Sequence, residues 1–350
     1  MAVYMSMMAF MLLIWAVNTH AKLHSKYTLW VFAVLLIITA GLRYQVGTDY
    51  PVYMVNYDKY KLESLLDFQR LGMRCVARIA AFIRDDYATW FFLMSFFSIG
   101  CAVKAIGKYS IRPALSVLMF VFLGCWHGSF NLVKQYGAVA ILLMGQDALL
   151  DRKFIKWCIV CILAAAFHIS AIIMIPIYFL VTGKIDLKHI ILLCVMGIII
   201  TIGYEQLFNV MAFLKEEESV TTITSSVGAR SVNLLRVAVA CAPVLLLFIY
   251  RKCYNFKNPS ALVWANFSML NAVLYVAARN SVYLTRFCVY TDVFNAFFIP
   301  AVVSYIPEKH NRRIVVAVCM ILYCCFWLYD LSKGSTTSVF HWIFERPGGL

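Results

Sequence analysis

Four clusters of residues in the 350-residue chain carry side chains able to do chemistry in an otherwise apolar sequence. The first, GLRYQVGTDYPVY at residues 41–53, brings Arg43, Asp49, Tyr50 and Tyr53 together directly after a long apolar run. A carboxylate there can accept a proton from a hydroxyl or position a sugar, and an arginine can hold two phosphate oxygens with its planar fork. In the second, GCWHGSFNLVKQYGAVAI, Asn131, Lys134 and Gln135 stand at i, i+3 and i+4. On a helix they share a face and can converge on one ligand. The third, AAAFHISAIIMIPIYF, sets His168 between two apolar runs, as a hydrogen-bonded structural histidine, a catalytic base or a sugar contact. The fourth, VAARNSVYLTRFCVYTDVFNAFF, spaces Arg279 and Arg286 at i, i+7 with Tyr283 near the same face. Asp292 follows Arg286 by about 9 Å along a helix, so an internal Arg–Asp pair is the structural alternative. Arg236, in NLLRVAVA, belongs to the same layer. Ionisable groups at membrane depth are costly and face a cavity or a partner.

The elements that position these residues follow from composition. The chain is 63% apolar and only 14% charged, against roughly 25% charged in soluble domains. Its apolar residues fall in runs of about 15–22, the length that crosses ~30 Å of hydrocarbon at 1.5 Å per residue. A transmembrane barrel would instead alternate over segments of about ten residues. The expected fold class is therefore all-α, a polytopic integral membrane protein forming one membrane domain over residues 1–350. Twelve spans are predicted, roughly 2–19, 28–42, 86–103, 113–126, 131–149, 154–167, 169–182, 189–204, 232–250, 260–278, 287–305 and 314–331. The spans 154–167 and 169–182 are short and adjoin, so one is expected to be tilted or re-entrant. The first run has no preceding basic region and no small-residue cleavage signal, and reads as a retained helix. Twelve cysteines, mostly within apolar runs, read as small buried hydrophobes; WCIVC has CxxC spacing but no second pair.

Basic residues orient the spans. Alternate short loops all carry Lys and Arg: 22 and 26; 104, 108 and 112; 152, 153 and 156; 184 and 188; 251, 252 and 257; 309, 312 and 313. The positive-inside rule places them in the cytoplasm, with both termini and the longer loops 43–85 and 205–231 outside. The inner set is eleven Lys to five Arg, and the outer set is ten Arg to five Lys. Orientation is indifferent to that exchange, but bidentate phosphate recognition is not. An Arg-rich outer face thus points to a phosphorylated, anionic substrate. Within loop 43–85, Arg70, Arg74 and Arg78 make one stripe and Leu71, Cys75, Val76, Ile79 and Phe82 an apolar face. This predicts an interfacial helix whose stripe faces lipid headgroups or a lipid diphosphate. Loop 205–231 is polar, and its consecutive Glu216, Glu217 and Glu218 do not share a helical face.

No DxD, HExxH, GxSxG, Walker A or GxGxxG pattern occurs, so no metal or cofactor is expected, and neither is a nucleic acid partner. The segment RYQVGTDYPVY resembles the R-x-x-x-G-T-D-Y-x-x-Y signature of the Wzy/EpsG-like polysaccharide polymerases. NLVKQYGAVA, FHISAIIMIP and ARNSVYLTRFCVY resemble further stretches of that family, in the same order along most of the chain. Two departures stand out: Lys134 occupies a usual arginine position, and the tail HWIFERPGGL lacks an aromatic-proline ending.

The resemblance implies a GT-C-like, metal-independent glycosyltransferase at the periplasmic face of the bacterial inner membrane. It would join oligosaccharide repeat units carried on undecaprenyl diphosphate into O-antigen or a related surface polysaccharide. Membrane lipids and a chain-length regulator are the further partners it leaves room for. On this reading Arg43, Arg279 and Arg286 contact the diphosphate or the developing charge, with Arg236 and Lys134 behind them. Asp49 is the leading general base or sugar-positioning carboxylate and His168 its rival. Tyr50, Tyr53, Gln135 and Tyr283 are sugar contacts. An O-antigen ligase and a lipid-linked oligosaccharide flippase are the alternatives.

Overall fold

A computed structural model describes residues 1–21, 25–203, 232–280, 284–334 and 336–347. The described residues are helical throughout, and the one β feature among them is an isolated antiparallel bridge between Arg43 and Trp342. Loop 205–231, with Glu216, Glu217 and Glu218, lies outside the described residues.

The helices, in chain order, are α1 (Ala2–Ala21), α2 (Ser25–Gly41), α3 (Tyr50–Leu62), α4 (Leu71–Ile83), α5 (Tyr87–Tyr109) and α6 (Pro113–Phe122). They continue as α7 (Cys125–Asn131), α8 (Val133–Met144), α9 (Asp147–Leu150), α10 (Phe154–Ala165), α11 (Met174–Thr182) and α12 (Leu187–Ile202). The last five are α13 (Leu234–Tyr250), α14 (Pro259–Ala277), α15 (Thr285–Asp292), α16 (Asn295–Tyr305) and α17 (Lys309–Lys333). Local chemistry sets several starts. Pro51, Pro113 and Pro259 open their helices where an N–H would go unused anyway. Asp86, Asp186, Asn233 and Asn258 cap α5, α12, α13 and α14 by accepting first-turn amides.

Four helices are long and apolar enough to cross a membrane, α1, α5, α14 and α17. Two bent pairs, α6–α7 at 47° and α15–α16 at 46°, raise the number to six if each is one span. Gly124 at φ 88° makes the first break. The other apolar segments are helices of 10–17 residues, mostly too short for a straight crossing at 1.5 Å per residue. The structure thus supports four to six spans on length where the apolar runs predicted twelve. Between α10 and α11 the chain turns through a 3₁₀ segment, Ile169–Ile173, at the join expected to tilt.

The interior is built around α5, which packs on α2, α4 and α8, and α14, which packs on α11, α12, α13, α15 and α16. Of the apolar window of α14, 72% is buried, against 17% for α1. Large apolar side chains such as Leu13, Trp30, Ile198, Phe248 and Leu322 face outward. That is the surface of a chain solvated by lipid rather than water.

Loop 43–85 differs from expectation in two ways. It holds two helices, not one, and α3 was not foreseen. Nor does the middle of the expected Arg stripe face outward, although Arg78 is exposed. Arg74 is buried and donates to Glu63 and Asp67 at 2.8 Å each and to the carbonyls of Ser64 and Asp67. Arg78 donates to the carbonyls of Lys61 and Glu63. Acceptors at the end of α3 and in the α3–α4 connection engage Arg74 fully and Arg78 in part, so these two close the hairpin while Arg70 stands apart from them. Arg78, Ile79, Phe82 and Ile83 are the exposed residues of α4.

Candidate active site

The exit from α2 is held from three sides. Tyr44 N–H donates to His341 O at 2.8 Å and Ile343 N–H to Leu42 O at 2.7 Å, so the C-terminal segment pairs with the exit. Gly47, at φ 111°, presses on the end of α7. A Cβ there would lie 2.6 Å from Asn131 Oδ1 and 3.2 Å from Phe130 O, so only glycine fits both the space and the left-handed backbone. Asp49 then sits at the N-cap of α3 without capping it. Thr48 Oγ1–H donates to its Oδ1 at 3.3 Å.

That carboxylate lines a cleft of about 240 Å³. From α3 come Tyr53, Asn56, Lys59 and Tyr60; from the start of α8, Lys134 and Gln135; and from the first turn of α15, Arg286. His168, before the 3₁₀ turn, and Arg70, at the N-cap of α4, complete the rim. Arg70 holds φ 61°, a left-handed backbone uncommon outside glycine. Lys59, which also pairs with Glu63 at 3.7 Å, Arg70, Lys134 and Arg286 thus share the lining with one carboxylate, a balance that attracts anions. Lys134 Nζ stands 5.9 Å from the Tyr53 ring centroid.

Two groups have defined hydrogen-bonding roles. His168 Nδ1 accepts from Ser170 N–H at 3.3 Å and lies 2.9 Å from Ser170 Oγ, which is 2.8 Å from Tyr290 Oη. A ring whose Nδ1 accepts an amide carries its proton, when neutral, on Nε2. His168 is therefore a donor through Nε2, which weakens it as rival base to Asp49. Gln135 Nε2 donates to Arg286 O at 3.3 Å, while its buried Oε1 has no partner among the described residues. Among the described residues no three of His, Cys, Asp and Glu gather at one point.

Of the residues singled out from sequence, Asp49, Tyr53, Lys134, Gln135, His168 and Arg286 share the cleft. Arg43, Tyr50, Arg236 and Arg279 do not line it, and Tyr283 lies outside the described residues. Arg43 is 2% exposed. It donates to Ala40 O, Ser95 Oγ and Phe130 O, and its guanidinium carbon lies 5.0 Å from the Phe91 ring and 4.7 Å from that of Phe130. Burial lowers its pKa to about 10, so it remains a cation at neutral pH. It ties the end of α2 to α5 and α7, and the expected phosphate contact does not match that burial. Tyr50 stacks on Phe91 at 4.2 Å beneath it. Arg279 is exposed, and its carbonyl accepts from Val232 N–H.

Arg236 belongs to a second polar group. It pairs with Asp330 on α17, whose Oδ2 lies 3.1 Å from His127 Nε2. Trp327 Nε1–H donates to His127 Nδ1 at 3.0 Å. An indole only donates, so the proton of neutral His127 is on Nε2, directed at Asp330. Asp292, expected beyond Arg286, accepts instead from Asn271 and Asn295. Asn131 accepts from Thr48 and is parted from Lys134 and Gln135 by a helix break at Leu132, so the triplet does not share one face.

Sequence reasoning missed Asn56, Lys59 and Tyr60. The signal was present: Tyr50, Tyr53, Tyr57 and Tyr60 repeat at i, i+3, i+7 and i+10, the buried stripe of a helix. Asn56 and Lys59 flank it.

No protein of described function and no solved structure matches this chain. The sequence pattern of the EpsG family matches residues 26–343. That span takes in every segment lining the cleft, and the family match marks a membrane protein of polysaccharide-polymerase type. The chain belongs to the EpsG family.

Proposed function

We propose that the protein is a repeat-unit polymerase, joining oligosaccharides carried on undecaprenyl diphosphate into O-antigen or a related surface polysaccharide. It would work at the periplasmic face of the bacterial inner membrane, within a GT-C-like arrangement of about twelve crossings. The observation that carries this is the cleft's composition: one carboxylate among four basic side chains, with aromatic and amide groups beside it. Its volume suits the reacting ends of two saccharides, whose remaining sugars extend past the mouth.

In the proposed reaction a terminal hydroxyl of one unit attacks the anomeric carbon of another. The carbon–oxygen bond to the diphosphate breaks, the diphosphate leaves with the electron pair, and the hydroxyl proton passes to Asp49. A positioned base of this kind contributes typically ~10²–10⁴-fold. Charge grows on the departing diphosphate, so fixed cations there stabilise the transition state more than the ground state. Arg286, Lys134 and Arg70 supply that charge. His168, as an Nε2–H donor, bonds a phosphate or sugar oxygen, and Gln135 Oε1 accepts from a sugar hydroxyl. Arg43 acts at one remove, positioning Asp49 by fixing the exit.

The test is chain extension by purified protein in lipid nanodiscs, given one defined undecaprenyl-diphosphate-linked repeat unit, with and without EDTA. A ladder of products spaced by one repeat is expected in both. Units moved across the bilayer without a ladder would establish a transporter instead. Whole chains passed only to a lipid A acceptor would establish a ligase.

A further inference from the structure

At the end of the molecule opposite the cleft, a groove of about 940 Å³ opens between α1 and α17, with α6 as its floor. Its position is fixed by the chain: α2 leads from there to the cleft end, and the amino terminus of α1 bonds Ser338 O beside the exit. Trp15 and Met320 form its walls and Phe122 its floor. Near the far end, Cys324 Sγ meets Met8 at 3.1 Å and draws α17 onto α1. The near end is cationic, carrying Arg112, Lys309, Arg312 and Arg313.

The polarity of this groove is its informative feature. Among the described residues no carboxylate pairs with any of the four cations. The nearby Glu308 instead accepts from Asn311 at 2.6 Å. Arg312 spends part of its guanidinium on the carbonyls of Ile306 and Pro307, and its charge opposes that of half-buried Arg112. Orientation by the positive-inside rule needs cations in a loop; it does not need them around the mouth of an apolar channel. From Arg312 to Cys324 the wall of α17 runs about 18 Å, close to one leaflet of a ~30 Å hydrocarbon core. The volume lies within the ~300–1,000 Å³ typical of ligand sites.

We propose that this groove binds an anionic phospholipid, its phosphate held by Arg112, Lys309, Arg312 and Arg313 and one acyl chain lying against Trp15 and Met320. Basic pockets between membrane helices bind such headgroups on the cytoplasmic side. The site is separate from the cleft and does not rest on the polymerase reading.

The experiment is native mass spectrometry of the full chain released from detergent, with phosphatidylglycerol or phosphatidylcholine added. Phosphatidylglycerol should be retained at least tenfold better, and the triple variant R112Q/R312Q/R313Q should lose that preference. A control removing three exposed cations of the same end, K104Q/K156Q/K188Q, should keep it. Equal loss in both variants would reduce the effect to general surface charge and overturn the site. Ala317 faces the groove and is exposed, so A317W, or A317L if the larger residue fails to fold, should block the lipid with all four cations in place. Unchanged retention in the folded filler variant would overturn the chain-binding half. So would displacement of the lipid by free glycerol phosphate at similar concentration. With acyl-brominated phosphatidylglycerol in nanodiscs, W15F should lose part of the tryptophan quenching; unchanged quenching would count against the groove.

Discussion

The cleft and the Asp330 group use the same residue types in opposite ways. Each contains an aspartate, a histidine and arginine, and each joins helices distant in sequence. In the Asp330 group the partners close on one another: Trp327 fixes His127, His127 and Arg236 meet the carboxylate, and no lining of the cleft is involved. In the cleft the same kinds of group border open volume, and Gln135 beside them has a buried Oε1 with no partner among the described residues. A polar group satisfied by its neighbours rigidifies a fold. One that faces a cavity is placed for a ligand. Residue type and depth do not separate the two cases, whereas closure of the hydrogen bonding does.

The sharpest way to break the comparison is to remove the carboxylate from each. Asp49→Asn is expected to lower chain extension ~10²–10⁴-fold with the thermal unfolding midpoint in detergent unchanged. Asp330→Asn should do the reverse, costing about 1–3 kcal/mol of stability while folded protein keeps its turnover. A D49N protein that still builds long polymer removes Asp49 from the mechanism. A stable D330N protein without activity moves the second group into the site.

The cations give the next contrast. Arg286→Ala, at the cleft, should raise the apparent KM for the lipid-linked unit about tenfold or more by removing a charge-assisted contact worth ~1.5–3 kcal/mol. Arg236→Ala should leave KM within a factor of about two and lower the unfolding midpoint. Equal KM effects would mean that the diphosphate reaches both groups.

Arg43 resembles the Asp330 group in tying helices together from within the fold, despite sitting six residues from Asp49 and keeping one buried donor, Nε, without a partner among the described residues. Arg43→Leu should destabilise the protein by about 2–4 kcal/mol, since buried carbonyls and Ser95 lose their donor. The surviving folded fraction should bind substrate with unchanged affinity. A stable R43L protein with weakened binding would return Arg43 to the diphosphate.

Much of the cleft was legible because its chemistry is local in sequence. Asp49 and Tyr53, Lys134 and Gln135, His168 and Arg286 were each marked by a polar cluster at the edge of an apolar run. Arg43 misled for a physical reason. A buried arginine needs carbonyl and aromatic partners, here Phe91, Ser95 and Phe130, which come from far along the chain. Asp330 was invisible for the converse reason, as a single acid near the end of an apolar helix whose partners are about 95 and 200 residues away. Helix α3 was legible in its tyrosine spacing but was overridden by its polarity. Its neighbour α4 was placed correctly as a helix, yet which of its faces is buried depended on acceptors in the α3–α4 connection.

The smallest predicted effect tests whether the C-terminal tail is scaffold or site. The tail borders the exit that positions Asp49, yet its anchor is distant: Arg346 Nη1 donates to both Asp86 oxygens at 2.9 and 2.8 Å, and its guanidinium lies 4.8 Å from the Tyr87 ring. Asp86 has a second task, capping α5 through Ala88 N–H at 2.9 Å. The two single variants therefore separate the tasks. Arg346→Ala removes a partly exposed ion pair, worth about 0–1 kcal/mol, and its effect should fade in 1 M salt, where the screening length is only ~3 Å. Asp86→Ala also removes the cap, worth about 0.5–2 kcal/mol more, and that part should persist in salt. If the tail is scaffold, both variants shift the unfolding midpoint by a few degrees and leave the product ladder intact. A shortened ladder in R346A at unchanged stability would instead mean that the tail holds the exit in the geometry turnover requires, extending the site from the cleft to the end of the chain.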